Sequence, residues 1–402
     1  MKKIKIIAIP TLALVVFAAL GLAFYQYFPG AFDFLKNEKG SQQLSTQKDD
    51  INNATRAIKL GAILPLTGDA ALYGNNDRQG IDLAVKLAND NGGIKGRKLS
   101  VVYEDNQSEA KVAVNAINKI SNANIDVIID DAMSSITLSM LPIATQKRIL
   151  LLSTGATNPS LSGSSPYFFR IWNSDLEEGI FAAKAYFNKL RFKKMAVVYV
   201  NNDYGNGLKD VFKNKFTSLG GEIAAEYSFD KDSKDFKSML LKLKQTDLQA
   251  IYLIGYSSQT GIIVKQIKEL KINTHITGTV AMEDANFLKL AGKAAEGLIY
   301  VFPKPSTGIE AQSFQSQFKE MYDSSPGILC DVGYDAANLI IYAYRHGAKS
   351  ADDIRKIFLG IKNYKGASGE ITFDKNGDVH KPMILKTVRD GKFVEYKEEA
   401  NQ

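Results

Sequence analysis

Histidine and cysteine are scarce in this chain: three histidines and one cysteine, Cys330, in 402 residues. A single cysteine forms no internal disulfide, and no cysteine or histidine spacing matches a metal site. Cys330 reads as a small residue opening a buried helix. Catalytic signatures are missing as well: there is no P-loop, no G-x-G-x-x-G, no G-x-S-x-G elbow and no H-E-x-x-H. Binding without chemistry is the expectation, with no cofactor. The formal net charge of +7 comes from basic residues interspersed with acids, and no Lys/Arg block is interleaved with aromatics. That pattern excludes a nucleic-acid footprint and reads as a solvated mixed-charge surface.

What the chain does have begins with Lys2, Lys3 and Lys5, followed by an uncharged stretch over residues 6–32 with its apolar core at 6–24. A basic start followed by an apolar run marks export, either as a signal peptide or as an N-terminal anchor. Cleavage after Ala23 is one reading. The length of the run favours an uncleaved anchor, since about 20 apolar residues span a bilayer. No cysteine follows the run, which excludes a lipoprotein anchor. Residues 33–56 turn polar and read as a linker.

Beyond the linker, helix periodicity appears at Ile81/Ala84/Val85/Ala88, Ala113/Ala116/Ile117/Ile120, Ala183/Tyr186/Phe187/Leu190 and Phe236/Met239/Leu240/Leu243. Short apolar runs alternate with them, at 59–64, 99–104, 127–129 and 149–152, then at 195–200, 222–229, 250–254 and 275–280. Runs of this kind suit strands buried on both faces, as parallel sheets require. Two βαβα series predict two doubly wound α/β lobes. Two further helix patterns follow around Ile340 and Phe358. The tail then predicts a hairpin, 369–373 with 383–388, turned at 374–378. That acidic turn lacks the spacing and terminal Glu of a calcium loop.

Ligands of open parallel sheets bind beyond the carboxyl ends of the strands. After the run at 127–129 comes a loop with Ser134 and Ser135 at the start of a helix. After 149–152 comes Ser153–Asn158, with Gly155 and Thr157. Two hydroxyl loops, one with a helix N-terminus, suit a carboxylate, although Ser134 or Ser135 capping its own helix is the simpler reading of the first. Tyr73, Tyr204 and Tyr256 follow three other strands beside glycines and are placed to wall a cleft.

At these residues the chain resembles periplasmic binding proteins of the type I fold, in the branched-chain amino-acid transport group. The likeness is carried by IKLGAILPLTGDAALYG (58–74), RQGIDLAVKLANDNGGIKGRKLSVVYED (78–105), GYDAANL (333–339) and SGEITFDKNGDVHKPMILKTVRDGKF (368–393). It implies two lobes joined by three crossover strands, near 173–177, 302–305 and 379–382. Lobe 1 is then 57–175 with 304–380, and lobe 2 is 176–303 with 381–402. It further implies that Ser134 and Thr157 bind a ligand carboxylate through hydroxyls, Met133 and Gly155 through backbone, and that Tyr73, Tyr204 and Tyr256 form the aromatic wall. The acid that holds a ligand amino group in this family falls at Val280, which carries no charge. Glu283 is assigned to the site in its place, with Asp284 and Asp203 as alternatives.

The expected function is extracytoplasmic capture of a small carboxylate-bearing ligand for an ABC importer. The partners are its permease subunits and, through the N-terminal segment, the membrane. An anchored sensor domain is the alternative. Location is the periplasm or the outer face of the cytoplasmic membrane.

Overall fold

The structure is a computed structural model that describes residues 57–398. The signal or anchor at 1–32 and the linker at 33–56 lie outside the described residues. Within them, no helix is long and apolar enough to cross a membrane.

The first lobe alternates β1 (Ile58–Leu64), α1 (Ala71–Asp90), β2 (Leu99–Asp105), α2 (Ala110–Asn122), β3 (Val127–Asp130), α3 (Ser134–Lys147), β4 (Leu150–Ser153) and β5 (Phe168–Arg170). Its five strands are all parallel, in the order β2-β1-β3-β4-β5. Leu60, Ala62, Ile63, Val127, Ile128 and Leu150–Leu152 have no exposed surface, as central strands covered on both faces require.

The chain then crosses to the second lobe, with α4 (Asp175–Lys184), β6 (Lys194–Val200), α5 (Asp203–Ser218), β7 (Glu222–Phe229), α6 (Lys237–Lys244), β8 (Ala250–Ile254), α7 (Ser257–Glu269), β9 (His275–Gly278), α8 (Ala285–Ala291) and β10 (Ile299–Pro303). It returns through α9 (Ile309–Tyr322), α10 (Cys330–Arg345), α11 (Ala351–Gly360), β11 (Tyr364–Gly366) and β12 (Gly369–Ile371), and ends in β13 (Met383–Arg389) and β14 (Lys392–Glu395). The apolar face of α10, with Val332, Ala336, Leu339 and Ile340, joins the core of the first lobe.

The second sheet runs β14-β13-β10-β9-β8-β6-β7 and is mixed: β13 is antiparallel to both β10 and β14. The run β7-β6-β8-β9-β10 is parallel as expected of a doubly wound lobe, and the antiparallel pair β13-β14 is added beside β10. The hairpin expected between 369–373 and 383–388 does not form. Gly369–Ile371 instead pairs with Tyr364–Gly366, while Met383–Arg389 enters the other lobe's sheet. Burial separates them: Ile371 and Phe373 belong to the first lobe's core, Leu385 and Val388 to the second's.

The three crossover segments hold one another. The Asn173 side chain donates to Lys381 O (2.7 Å) and accepts from Lys381 N (3.0 Å), and Lys304 N donates to Pro382 O (2.7 Å). The first crossover is shorter than expected, because Ser174 caps α4 at Leu176 N and the helix begins at Asp175.

Candidate functional site

Strand order reverses around β1 in the first sheet and around β6 in the second. Ligands of such sheets bind beyond the strand ends at these switch points, and residues from the loops there line one cavity. Tyr73 follows β1, Met133 and Ser134 follow β3, Tyr204 follows β6 and Tyr256 follows β8. Between the lobes lies a cavity of about 60 Å³, walled by Tyr73, Met133, Gly155, Thr157, Tyr204, Tyr256, Val280 and Leu329 among others. The lobes meet around it. Asn158 Nδ2 donates to Asp203 O (2.5 Å), Asp203 N to Ser135 Oγ (3.3 Å) and Tyr73 Oη to Ala281 O (3.4 Å). Lys231 reaches across to Glu109 (2.6 Å).

The aromatic wall is built from polar tips and stacked faces. Tyr204 and Tyr256 stack at 5.6 Å with 30° between planes. The Tyr204 hydroxyl bonds Thr279 Oγ1 (3.1 Å), and Asn202 Nδ2 donates to Tyr256 Oη (3.1 Å). Neither hydroxyl is thereby stranded.

The hydroxyl loops are tied to each other rather than to their own helices. Ser134, 1% exposed, accepts from Asn158 N (3.1 Å) and makes no capping bond to α3. Ser134 lies at the loop junction and is not itself a cavity wall. Behind these loops Arg170, fully buried, donates to Ala156 O and Asn158 O (3.1 Å each) and pairs with Asp378 (2.8 Å). Arg170 therefore fixes the backbone on either side of Thr157. The sequence reading passed over it. The Met133 N–H is taken by the Asp131 carboxylate, and Gly155 N donates to Ser153 Oγ at 3.3 Å.

Glu283 is not a cavity residue. Its carboxylate pairs with the Lys386 ammonium and accepts from Tyr300 Oη (2.6 Å), both on strands of the second sheet, and it lines a wider groove instead. Asp284 also faces that groove and caps α8 through Asn286 N (2.6 Å). Asp203 is exposed and engages the first lobe through its backbone. Val280 stands in the cavity wall as an apolar side chain.

Two acids that sequence reasoning missed stand behind the cavity wall, at Thr157 and Val280. Asp175 and Glu178, one turn apart on α4, are 0% and 2% exposed. Neither carboxylate oxygen of Asp175 has a hydrogen-bond partner. The Thr157 hydroxyl stands close enough to favour its charged form, without completing a hydrogen bond. Burial pushes the Asp175 carboxyl up to about 7, against the pull of Thr157 and Arg170. Burial, and then the Asp175 charge, push Glu178 well above the carboxylate range, although Val280 N donates to it (3.4 Å). Asp77, Asp130 and Asp131 under the hydroxyl loops are raised by burial in the same way. Among the described residues no His/Cys/Asp/Glu group is arranged to hold a metal ion.

Residues 57–392 match the family model for periplasmic binding proteins. A Leu/Ile/Val-binding protein homolog of Brucella melitensis is 26% identical over 338 residues, covering 81% of this chain and 88% of the relative. The branched-chain amino-acid transporter substrate-binding protein LivJ of Streptococcus pneumoniae, solved with isoleucine, superposes with a TM-score of 0.78 and 27% identity, covering 84% of this chain and 97% of that one. The leucine-binding protein LivK of Thermotoga maritima gives 0.80 and 27%, over 85% and 98%. The chain therefore belongs to the periplasmic binding protein family, whose members are extracytoplasmic solute binders rather than enzymes.

Proposed function

We propose that this protein captures a small zwitterionic amino acid between its lobes and presents it to the permease subunits of an ABC importer. One observation carries the reading. The cavity has hydroxyl loops and the first turn of α3 on one side, and behind Thr157 a buried carboxylate with neither oxygen partnered. In this reading the ligand carboxylate is held by the Thr157 hydroxyl and by the N–H groups of Ser134 and Ser135, which open α3 without an intrahelical acceptor. Asp175 takes the ligand ammonium, in place of the charge that Val280 does not supply. An unpartnered buried carboxylate is costly, and a cation delivered by the ligand relieves it. Tyr73, Tyr204 and Tyr256 cover the side chain. The relatives' names, a Leu/Ile/Val-binding protein homolog, a leucine-binding protein and a substrate-binding protein solved with isoleucine, support the ligand class.

Closure supplies the signal. A ligand that touches both lobes has differential affinity for the closed form and shifts the population towards it. Native mass spectrometry of the exported protein tests the reading directly. A co-purified amino acid, displaced by added amino acids but not by the matching deaminated acids, is the expected result. Retention of a ligand with no amino group would sink it.

A further inference from the structure

The lobes are joined along one side and meet again along the other. The first crossover follows β5, the second follows β10 and the third precedes β13. In the first sheet β2 is the edge strand opposite β5, and in the second β7 is the edge strand opposite the β13-β14 end. The loops after β2 and β7 therefore lie at the sheet edges remote from the crossovers, where a hinge opening separates the lobes most. Glu109 and Lys231 stand on these two loops, and their charged atoms are 2.6 Å apart. Neither residue lines the ligand cavity.

Both ends of this pair are held in place by their own lobe. Gln107 and Ser108, just before Glu109, are successive left-handed residues at φ +56° and +60°, a conformation that side chains adopt only where the surroundings enforce it. Here they do: Gln107 N donates to Asp105 Oδ1 (2.8 Å), Ser108 N to Asn106 Oδ1 (2.9 Å), and Ser108 Oγ accepts from Ala70 N (3.0 Å). The bend sets Glu109 at the N-cap of α2, where its side chain makes no capping bond and reaches Lys231 instead. Across the cleft the buried Gln259 side chain of α7 donates to Lys231 O. Glu109 raises the pKa of the Lys231 ammonium against the effect of burial, and the charges of Asp232 and of Asp69 in the first lobe add to it. With both backbones fixed, the pair needs only the approach of the lobes to form.

We propose that Glu109 and Lys231 are a rim latch: they stabilise the closed arrangement without touching the ligand, and so set ligand affinity from outside the ligand site. The inference rests on lobe closure as read above, not on which ligand is bound. Apparent affinity falls in proportion to the population of the binding-competent form, so a change in closure has to appear in binding by the same factor. Spin labels on Asn122→Cys of α2 and Asn214→Cys of α5, both exposed positions, report the distance between the lobes in the full chain; Cys330 is buried and takes no label. In the empty protein, Lys231→Gln should lower the closed-to-open ratio about two- to fivefold, the range for exposed pairs, and Lys231→Glu should lower it further. Lys231→Glu combined with Glu109→Lys should recover the wild-type distances, a rescue that a merely structural role for either side chain would not give. The two side chains are 34% and 56% exposed, so these differences should shrink at about 1 M salt, where charges are screened within about 3 Å. The dissociation constant for leucine should rise by the same factors as the closed form is lost. An unchanged distance distribution in Lys231→Glu, a charge swap that restores nothing, or a leucine affinity indifferent to a changed distance overturns the latch. Failure of leucine to bind the wild type counts against the amino-acid reading alone, because the distances in the empty chain decide the latch without it.

Discussion

Asp175→Asn is the substitution that separates a ligand-binding acid from a structural one. In the proposed complex the ammonium makes a charge-assisted hydrogen bond to a carboxylate out of contact with water, worth about 1.5–3 kcal/mol. Its loss should weaken amino-acid binding roughly ten- to 150-fold. Asparagine is nearly isosteric, so the matching 2-hydroxy acid, which lacks the ammonium, should bind both proteins alike. The proton balance gives a second readout. Burial holds the Asp175 carboxyl up to about 7 in the empty protein. Below that pH the group is protonated and has to release a proton before it receives the ammonium. Amino-acid affinity should therefore fall as pH drops from about 8 to about 5.5, by at most tenfold per unit, and binding near pH 6 should release close to one proton. The stability of the empty protein moves the other way. A carboxyl raised on folding binds its proton more tightly in the native state, so stability increases as pH falls from about 7 towards the ordinary carboxylate value of about 3.9. That contribution is lost as pH rises through 7, and Asp175→Asn should remove this part of the slope. Calorimetry in buffers of different ionisation enthalpy counts the protons. Wild-type affinity in the Asn variant at pH 8, or a flat affinity profile, would refute the assignment.

Four further outcomes are expected. Thr157→Ala should weaken binding roughly ten- to 150-fold, from one charge-assisted contact to a carboxylate, with circular dichroism unchanged. Asp378→Ala strands the fully buried Arg170 guanidinium and should cost about 3–5 kcal/mol in denaturant unfolding, whereas a loss below about 1 kcal/mol would show that water replaces the carboxylate. His380 bonds Glu177 on α4 and lies 3.7 Å from Asp374 before the third crossover; Glu177 raises its pKa first, the Asp374 and Asp378 charges add to this, and burial opposes them. Its contribution should be present in full below about pH 6.5 and be lost as pH rises through the raised value, so thermal melts of His380→Gln should lack that step. Finally, Trp172 lies in a cavity wall beside the first crossover, so saturating amino acid should change its emission and reduce the radius of gyration in solution scattering; an unchanged scattering curve at confirmed saturation argues against closure.

How much of this was legible in the sequence follows from the distance over which each feature is decided. Runs such as 127–129 and 250–254 announce themselves because a strand covered on both faces has to be continuously apolar, which is a local property. The post-strand loops inherit that visibility, and so Tyr73, Met133, Gly155, Thr157, Tyr204 and Tyr256 could be singled out, and the structure brings all six around one cavity. The hairpin misreading came from the same locality. Two extended stretches either side of a turn look like partners, yet the turn at 374–378 is bound to the first lobe through Arg170 and Asp378, and the strand after it continues into the second.

The acids show the limit most clearly. Asp175 follows Ser174, whose hydroxyl accepts from Leu176 N, and a serine followed by acids is the ordinary signature of a capped helix start. Nothing within several residues reveals that both oxygens of Asp175 are buried without partners, because the residues that surround it, Thr157, Arg170 and Tyr204, arrive from both lobes. Glu283 fails in the opposite sense. It stands close to Val280 in sequence and so looked available for a ligand amino group, but Lys386 and Tyr300 already occupy it from strands 103 and 17 residues away. A charge is available to a ligand only when the fold has not already paired it, and that pairing is settled by sheet order rather than by neighbours in the chain. The fully buried acid without a partner, not the acid nearest the expected position, is therefore the one to test first.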